Sequence, residues 1–452
     1  MAFEPDPPAR PGRLIVPGEE PGPAETPRII LPPGAVREGA GDLPEYPRLR
    51  RLVLMPVRDG DRDLIVVSDP MGVIPGQPVL GMDALPLLQV LDGTMSLTDL
   101  QAAVMQESKD LRVGNMVRDF VAQLDELLML ESPRYERALA ELRGQYHALE
   151  IRPAALEGIS YPAERAPLEA FLDAQFAEAE RLRAAANEPV AAPDAVPRAL
   201  LAPHLDPRRE GRLVARACLE LGPAPAGPLR VVVFGTGHQL AGEFAALTRK
   251  HFQTPLGKVP CDTAFVDRLA QALGDGAYAG ELAHREEHSI EFPVVYLQRR
   301  LGARPWTLVP ILCGGFYQLL DDHRTPREEP VVERLIAAVR DAEAALGGRT
   351  LYVAGVDFSH VGPRFGDGAV GDEVRAEVRK LDEAAIAAAA AGDADAWFRV
   401  IAAGDDATRI CGFAPTYCLL RCATPGPGRL LGYAQSSEED STMVSVAALS
   451  WP

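Results

Sequence analysis

The chain has 452 residues, enough for one large domain with additions, and 47% of them are hydrophobic against 24% charged, an ordinary globular mixture. Sixty-four acids against 46 bases leave a formal charge of −18, which argues against nucleic-acid or anionic-membrane partners, because phosphate binding needs clustered Lys and Arg. No apolar run reaches the ~20 residues of a membrane span and the first residues lack an apolar signal core, so a cytoplasmic chain with reduced thiols is expected.

Residues 1–43 are rich in Pro, Gly, Glu and Arg without an apolar period, and read as a disordered tail. Residues 44–145 read as a small folded unit. Two β-rich runs, 51–57 and 63–69, flank Asp59-Gly60, a hairpin signal. Helices are expected over 82–93, ending at Gly93, over 96–106 with Ser96 as N-cap, and over 113–130. In the last of these Val113, Val117, Phe120 and Leu124 follow the 3–4 spacing of a buried face. Strands followed by three helices suggest a winged-helix-like α+β module. The run Leu88-Gln89-Val90-Leu91-Asp92-Gly93, followed by a capped helix, resembles PqqD-like peptide-recognition modules; an unrelated small helical domain fits the same residues. The resemblance implies a peptide or protein partner for residues 44–145.

Amphipathic helices and an Ala/Pro-rich linker at 188–198 come next. The pattern then turns to α/β. Apolar runs at 198–204, 230–238, 306–315 and 351–360 read as buried strands, separated by helical patterns at 211–221, 262–273, 289–301 and 330–346. This alternation predicts a mostly parallel central sheet covered on both faces. The Ala run 384–391 is a helix former, with Gly392 as its stop.

All six Cys and seven of the eight His lie beyond residue 203. Three of the predicted strands end in polar clusters: Pro203-His204, Gly237-His238 and Asp357-Phe358-Ser359-His360. Carboxyl ends of strands open onto the binding crevice of α/β sheets, so His204, His238, Asp357 and His360 can converge. A single His there is more often a satisfied core residue; three in one domain are harder to dismiss. His288 heads a helical pattern in EEHSIEF, where a simple cap is the plainer reading. Cys411 sits in a turn before Gly412, whereas Cys218, Cys313, Cys418 and Cys422 read as core hydrophobes. Paired CxxC motifs, a P-loop, a nucleophile elbow and HExxH are absent from the sequence.

The ordered series LLAPH, VFGTGH, QTPLGKVPCD, EEHSIEFPVVYL, LVPILCGG, VDFSHVGPRFGD, RICGFAPTYCLL and YAQSS over residues 151–452 resembles the Memo family, whose prokaryotic members include AmmeMemoRadiSam system protein B. Gly158 and Tyr161 fit the start of that domain. The resemblance implies a fold like the class III extradiol dioxygenases. It implies metal ligands at His204, His238 and Cys411, with His288, Asp357 and His360 as catalytic pocket residues. His288 and His360 would move protons, and Asp357 would orient a His or a metal-bound water. Two imidazoles and a thiolate favour a redox metal ion, iron or copper, with zinc as an alternative. The function implied is a metal-dependent redox enzyme acting on a small molecule or peptide, within a radical-SAM-associated modification pathway. Phosphopeptide or protein binding with an incidental metal, and zinc-dependent hydrolysis, are the competing readings. Departures from the family lie on the pocket rim: His204-Leu205-Asp206-Pro207 replaces His-Ala-Gly-Tyr, and Gly237-His238-Gln239 replaces Ser-His-His.

Overall fold

The computed structural model describes residues 43–452 apart from Leu111, Pro223, Pro225, Ala226 and Ala241, so the expected tail lies outside it but for Leu43. The chain divides into two compact units, Met1–Leu142 and Arg143–Pro452.

In the first unit, β1 (Val53–Asp59), β2 (Arg62–Ser68) and β3 (Val79–Gly81) form an antiparallel sheet in that order. The predicted hairpin closes with Asp59 opposite Arg62, and Gly60 takes the left-handed φ of 62° that the tight turn needs. Three helices follow: α1 (Leu85–Val90), α2 (Leu97–Ser108) and α3 (Val113–Glu126). Ser96 caps α2, its hydroxyl accepting the Asp99 N–H as expected. Two expected helices are shorter than their apolar pattern. The segment 82–93 is one 3-10 turn plus α1. The helix from 113 stops at Glu126 because Leu128 turns left-handed (φ 58°), folding Met129 and Leu130 back into the core. That core packs Val117, Phe120 and Leu124 of α3 against Ile65 and Val67 of β2. Helix α4 (Pro133–His147) contains the boundary between the units.

The second unit runs β4 (Ile151–Arg152), α5 (Arg165–Ala185), β5 (Ala199–Ala202), α6 (Pro207–Cys218), β6 (Leu229–Thr236), β7 (Ala245–Leu247), β8 (His251–Thr254), β9 (Gly257–Val259) and α7 (Thr263–Leu273). It continues α8 (His288–Leu301), β10 (Trp306–Cys313), α9 (Tyr317–Asp321), α10 (Pro330–Leu346), β11 (Arg349–Gly355), β12 (His360–Val361), α11 (Asp372–Ala390), α12 (Ala394–Ala402), α13 (Phe413–Ala423), β13 (Arg429–Ser437) and β14 (Met443–Trp451). Its main sheet has the order β12-β14-β5-β11-β6-β10-β7, with β13 on β14. Only β5, β11, β6 and β10 are mutually parallel. β14 joins β5 antiparallel, as β7 joins β10. The sheet is therefore mixed, a parallel centre with antiparallel flanks.

The parallel strands alternate faces and bury both. Leu201, Val232, Phe234, Val309 and Ile311 enter one core with α7, α10 and α13. Leu200, Val231, Val233, Leu308 and Leu312 enter the other with α5, α6 and α8. Continuous apolar runs are what two-sided burial demands. The run expected as a strand over 351–360 ends at Gly355, leaving residues 356–359 as a loop before β12. No described helix is long and apolar enough to cross a membrane.

Candidate metal centre

Three parallel strands stop at Ala202, Thr236 and Gly355. Two residues beyond each stand His204, His238 and Asp357. The equal offset on neighbouring strands brings the three to one end of the sheet. The remaining contributors come from two helix starts. Helix α8 opens with Glu287 as N-cap and His288 as first residue. Cys411 immediately precedes Gly412, the N-cap of α13.

Helix α8 reaches the sheet because two strand residues lack side chains. A methyl on Gly355 would overlap the Ser289 carbonyl, and one on Gly235 would crowd the Ser289 hydroxyl and Ile290. The first turn of α8 thus lies against β6 and β11 and delivers Glu287 and His288 between their ends. On the other side, the Cys411 carbonyl accepts a 3.0 Å bond from the Thr236 hydroxyl, and the Gly412 N–H donates to the Asp357 carbonyl.

His204 is 2% exposed. Its Nδ1–H donates to the Gly355 carbonyl at 2.8 Å, which turns Nε2 inward, 3.3 Å from Cys411 Sγ. His238 Nδ1–H donates to the Glu287 carboxylate at 3.0 Å, again freeing Nε2. One donor atom from each of His204, His238 and Cys411 lies within 4.8 Å of the others. Around a tetrahedral ion with bonds of ~2.1 Å to nitrogen and ~2.3 Å to sulfur, neighbouring donors stand about 3.6 Å apart. The donor set, its spacing and its fixed tautomers fit a single transition-metal ion.

The charges point the same way. Burial, then His288 and His238, hold His204 well below the usual imidazole range, which leaves it neutral, the form in which an imidazole can ligate a metal. Burial pushes the Cys411 thiol well up, and Asp357 adds to this. Such a thiol becomes a thiolate when a cation coordinates it. Burial draws His238 down, yet the charge and hydrogen bonds of Glu287 outweigh this and leave it raised. Burial opposes ionisation of Glu287, but His238 and His288 hold it well below the ordinary range.

His288 joins the cluster. Its ring centroid lies 4.8 Å from those of both His204 and His238, and its Nδ1 lies 3.2 Å from Glu287. The side chains of His238 and His288 are 36% and 35% exposed and form the open rim. Asp357 is buried and touches His204, but through the main chain: its Oδ1 accepts the N–H groups of His204 and Leu205 at 2.9 and 3.0 Å. Its other oxygen lies 3.7 Å from His204 Nε2. Burial lifts its carboxyl to about 6, against these two bonds. His360 belongs to neither group of converging donors among the described residues. Its Nδ1 faces the carbonyls of Phe358 and Arg409, its ring packs on Phe365, and burial, then the charge of His238, brings it down to about 4.

Sequence reasoning gave Glu287 no role of its own; its sole signal was a pair of adjacent acids before His288. The buried Arg152 was missed too. It donates to the Glu287 carbonyl, the His284 carbonyl and the Glu291 carboxylate, fixing the start of α8.

A family model described as Memo-like protein matches residues 152–450. A MEMO1 family protein of Thermus thermophilus is 29% identical over 342 residues, 75% of this chain and 93% of the relative. One from Aquifex aeolicus is 26% identical over 71% of this chain and 77% of its own length. One from Methanosarcina acetivorans is 28% identical over 66% and 97%.

Proposed function

Since the chain belongs to the Memo-like protein family, we propose that its second unit is a mononuclear metalloenzyme whose ion is held by His204, His238 and Cys411. The carrying observation is the convergence of these three donors, each imidazole fixed at Nδ1, with His204 Nε2 facing the thiol and His238 Nε2 left free. Iron or copper at such a site supplies one-electron redox chemistry at positions left open to substrate. The protein's own share is positional. Asp357 clamps the backbone of His204. Glu287 holds His238 and His288 together, and His288 stands at the open rim as the proton donor or acceptor nearest an incoming small molecule or peptide. His360, brought down to about 4 mainly by burial, stays neutral at pH 7, so the proton-moving role expected of it falls to His288 alone.

Zinc is the competing ion, because two His and one Cys with an open position also suit metal-assisted hydrolysis. Metal analysis after anaerobic purification decides between them. The expected result is about one equivalent of iron or copper, lost from His204→Ala and from Cys411→Ser. Stoichiometric zinc supports the hydrolase instead, and full occupancy in both variants overturns the ligand set. The setting in a radical-SAM-associated pathway, and recruitment of a peptide or partner protein by residues 44–145, rest on the sequence resemblances. The separate core of the first unit supports the second of these.

A further inference from the structure

At the far end of α8 from Glu287 and His288 lies a cavity of about 350 Å³. The helix has 14 residues, which places the cavity about 20 Å from the metal centre. Four cations line it, Arg165, Lys258, Arg299 and Arg304, against one acid, Glu169. This local excess is opposite to the −18 of the whole chain. The cations come from separate places: the start of α5, the middle of β9, the last turn of α8, and the connector to β10.

Ordinary surface pairing accounts for only part of them. Arg165 pairs with Glu169, and Arg299 with Asp173. A cation in the last turn of α8 also suits the helix dipole, which explains Arg299 but not Lys258 or Arg165. Among the described residues neither Lys258 nor Arg304 has a carboxylate partner; Arg304 donates only to the Leu301 carbonyl. The Arg299 Nε is closed off from solvent and meets no acceptor. The Arg299 side chain as a whole is 37% exposed and already paired with Asp173, so the pull toward an anion comes from Lys258 and Arg304, two cations without a carboxylate partner at one cavity. The cavity also has an apolar wall at Trp306.

We propose that this cavity binds a small multivalent oxyanion, of the phosphate-ester or polycarboxylate kind, with its apolar part against Trp306. The arginine forks would take oxygens in pairs and Lys258 would act as a point charge. The site is separate from the metal centre and does not depend on the function proposed for it.

Isothermal titration of the full chain with pyrophosphate and with citrate, at constant ionic strength against chloride, tests this. One-to-one saturable binding of at least one probe is expected. The preferred probe distinguishes phosphate from carboxylate recognition. The double variant Lys258→Glu/Arg304→Glu is expected to weaken binding at least tenfold. Arg334→Glu/Lys380→Glu makes the same charge change elsewhere and should leave binding within twofold, as should Cys411→Ser. Circular dichroism confirms that each variant is folded. Binding no stronger than that of chloride, or equal weakening by the two double variants, overturns the proposal.

Discussion

Glu287 is the residue on which both rim imidazoles depend. Its oxygens accept from His238 Nδ1 at 3.0 Å and from His288 at 3.2 Å, and two backbone N–H groups, those of His238 and Ser289, complete its shell. A carboxylate behind a ligating His fixes the ring and raises its basicity. Glu287→Gln should therefore lower metal affinity about 10- to 100-fold, read by competition with a chelator, while His204 and Cys411 stay in place. Unchanged affinity would deny the carboxylate this role. At this scale the sequence was half legible. His204 and His238 announce themselves as polar residues directly after apolar runs, and Cys411 by its place beside Gly412. Glu286 and Glu287 look alike in a linear reading. What separates them is the extended N-cap conformation of Glu287, which turns it inward to 3% exposure, and no spacing rule encodes that.

Among the elements, α8 is set by the space left on β11. Gly355→Ala would press a methyl into the Ser289 carbonyl, a main-chain atom that cannot rotate away. The variant should lose about 1–3 kcal/mol, read as a fall in the thermal midpoint, and lose bound metal with it, since the same turn carries Glu287. A variant that keeps both midpoint and metal would show that α8 has room to move. In the first unit, β2 is tied to the chain before β1 by the buried pair Arg50–Asp69 at 2.8 Å. Asp69 also accepts the N–H groups of Met71, Val73 and Ile74. Burial raises its pKa, but these bonds and Arg50 outweigh burial and hold it below the ordinary carboxylate value. Its contribution is thus complete above ~pH 4, the unfolded Asp value, and vanishes as pH falls through the lower folded value. Asp69→Ala should cost about 3 kcal/mol at pH 7 and progressively less in acid, measured as the gap between denaturation curves of the two proteins. A gap that widens in acid would reverse the sign of the linkage. The element pattern of the α/β half was readable where both faces of a strand are buried by helices. β13 and β14 were not read as strands. Every residue of Met443–Trp451 is buried, and such a run carries no period to separate strand from helix.

For the whole molecule, the charge of −18 belongs to the chain at large, while the two proposed sites, the soft-ligand cluster and the basic cavity, are local departures from its average composition. An ion that binds only the folded unit must stabilise it by linkage, about 2.7 kcal/mol at a free concentration 100 times its Kd. The thermal midpoint of the full chain should rise accordingly when the native metal is added, and the rise should disappear in Cys411→Ser. A rise of equal size in that variant would place the ion elsewhere. The proposed ligands would also fix an order of events. His204 and Cys411 are 207 residues apart, and each reaches the centre only when its strand or helix has taken its place against the sheet. No short segment of the nascent chain can capture the ion in advance, and closing such long loops is slow. On this assignment the ion would be a late arrival that ratifies a finished scaffold, not a nucleus around which the scaffold grows.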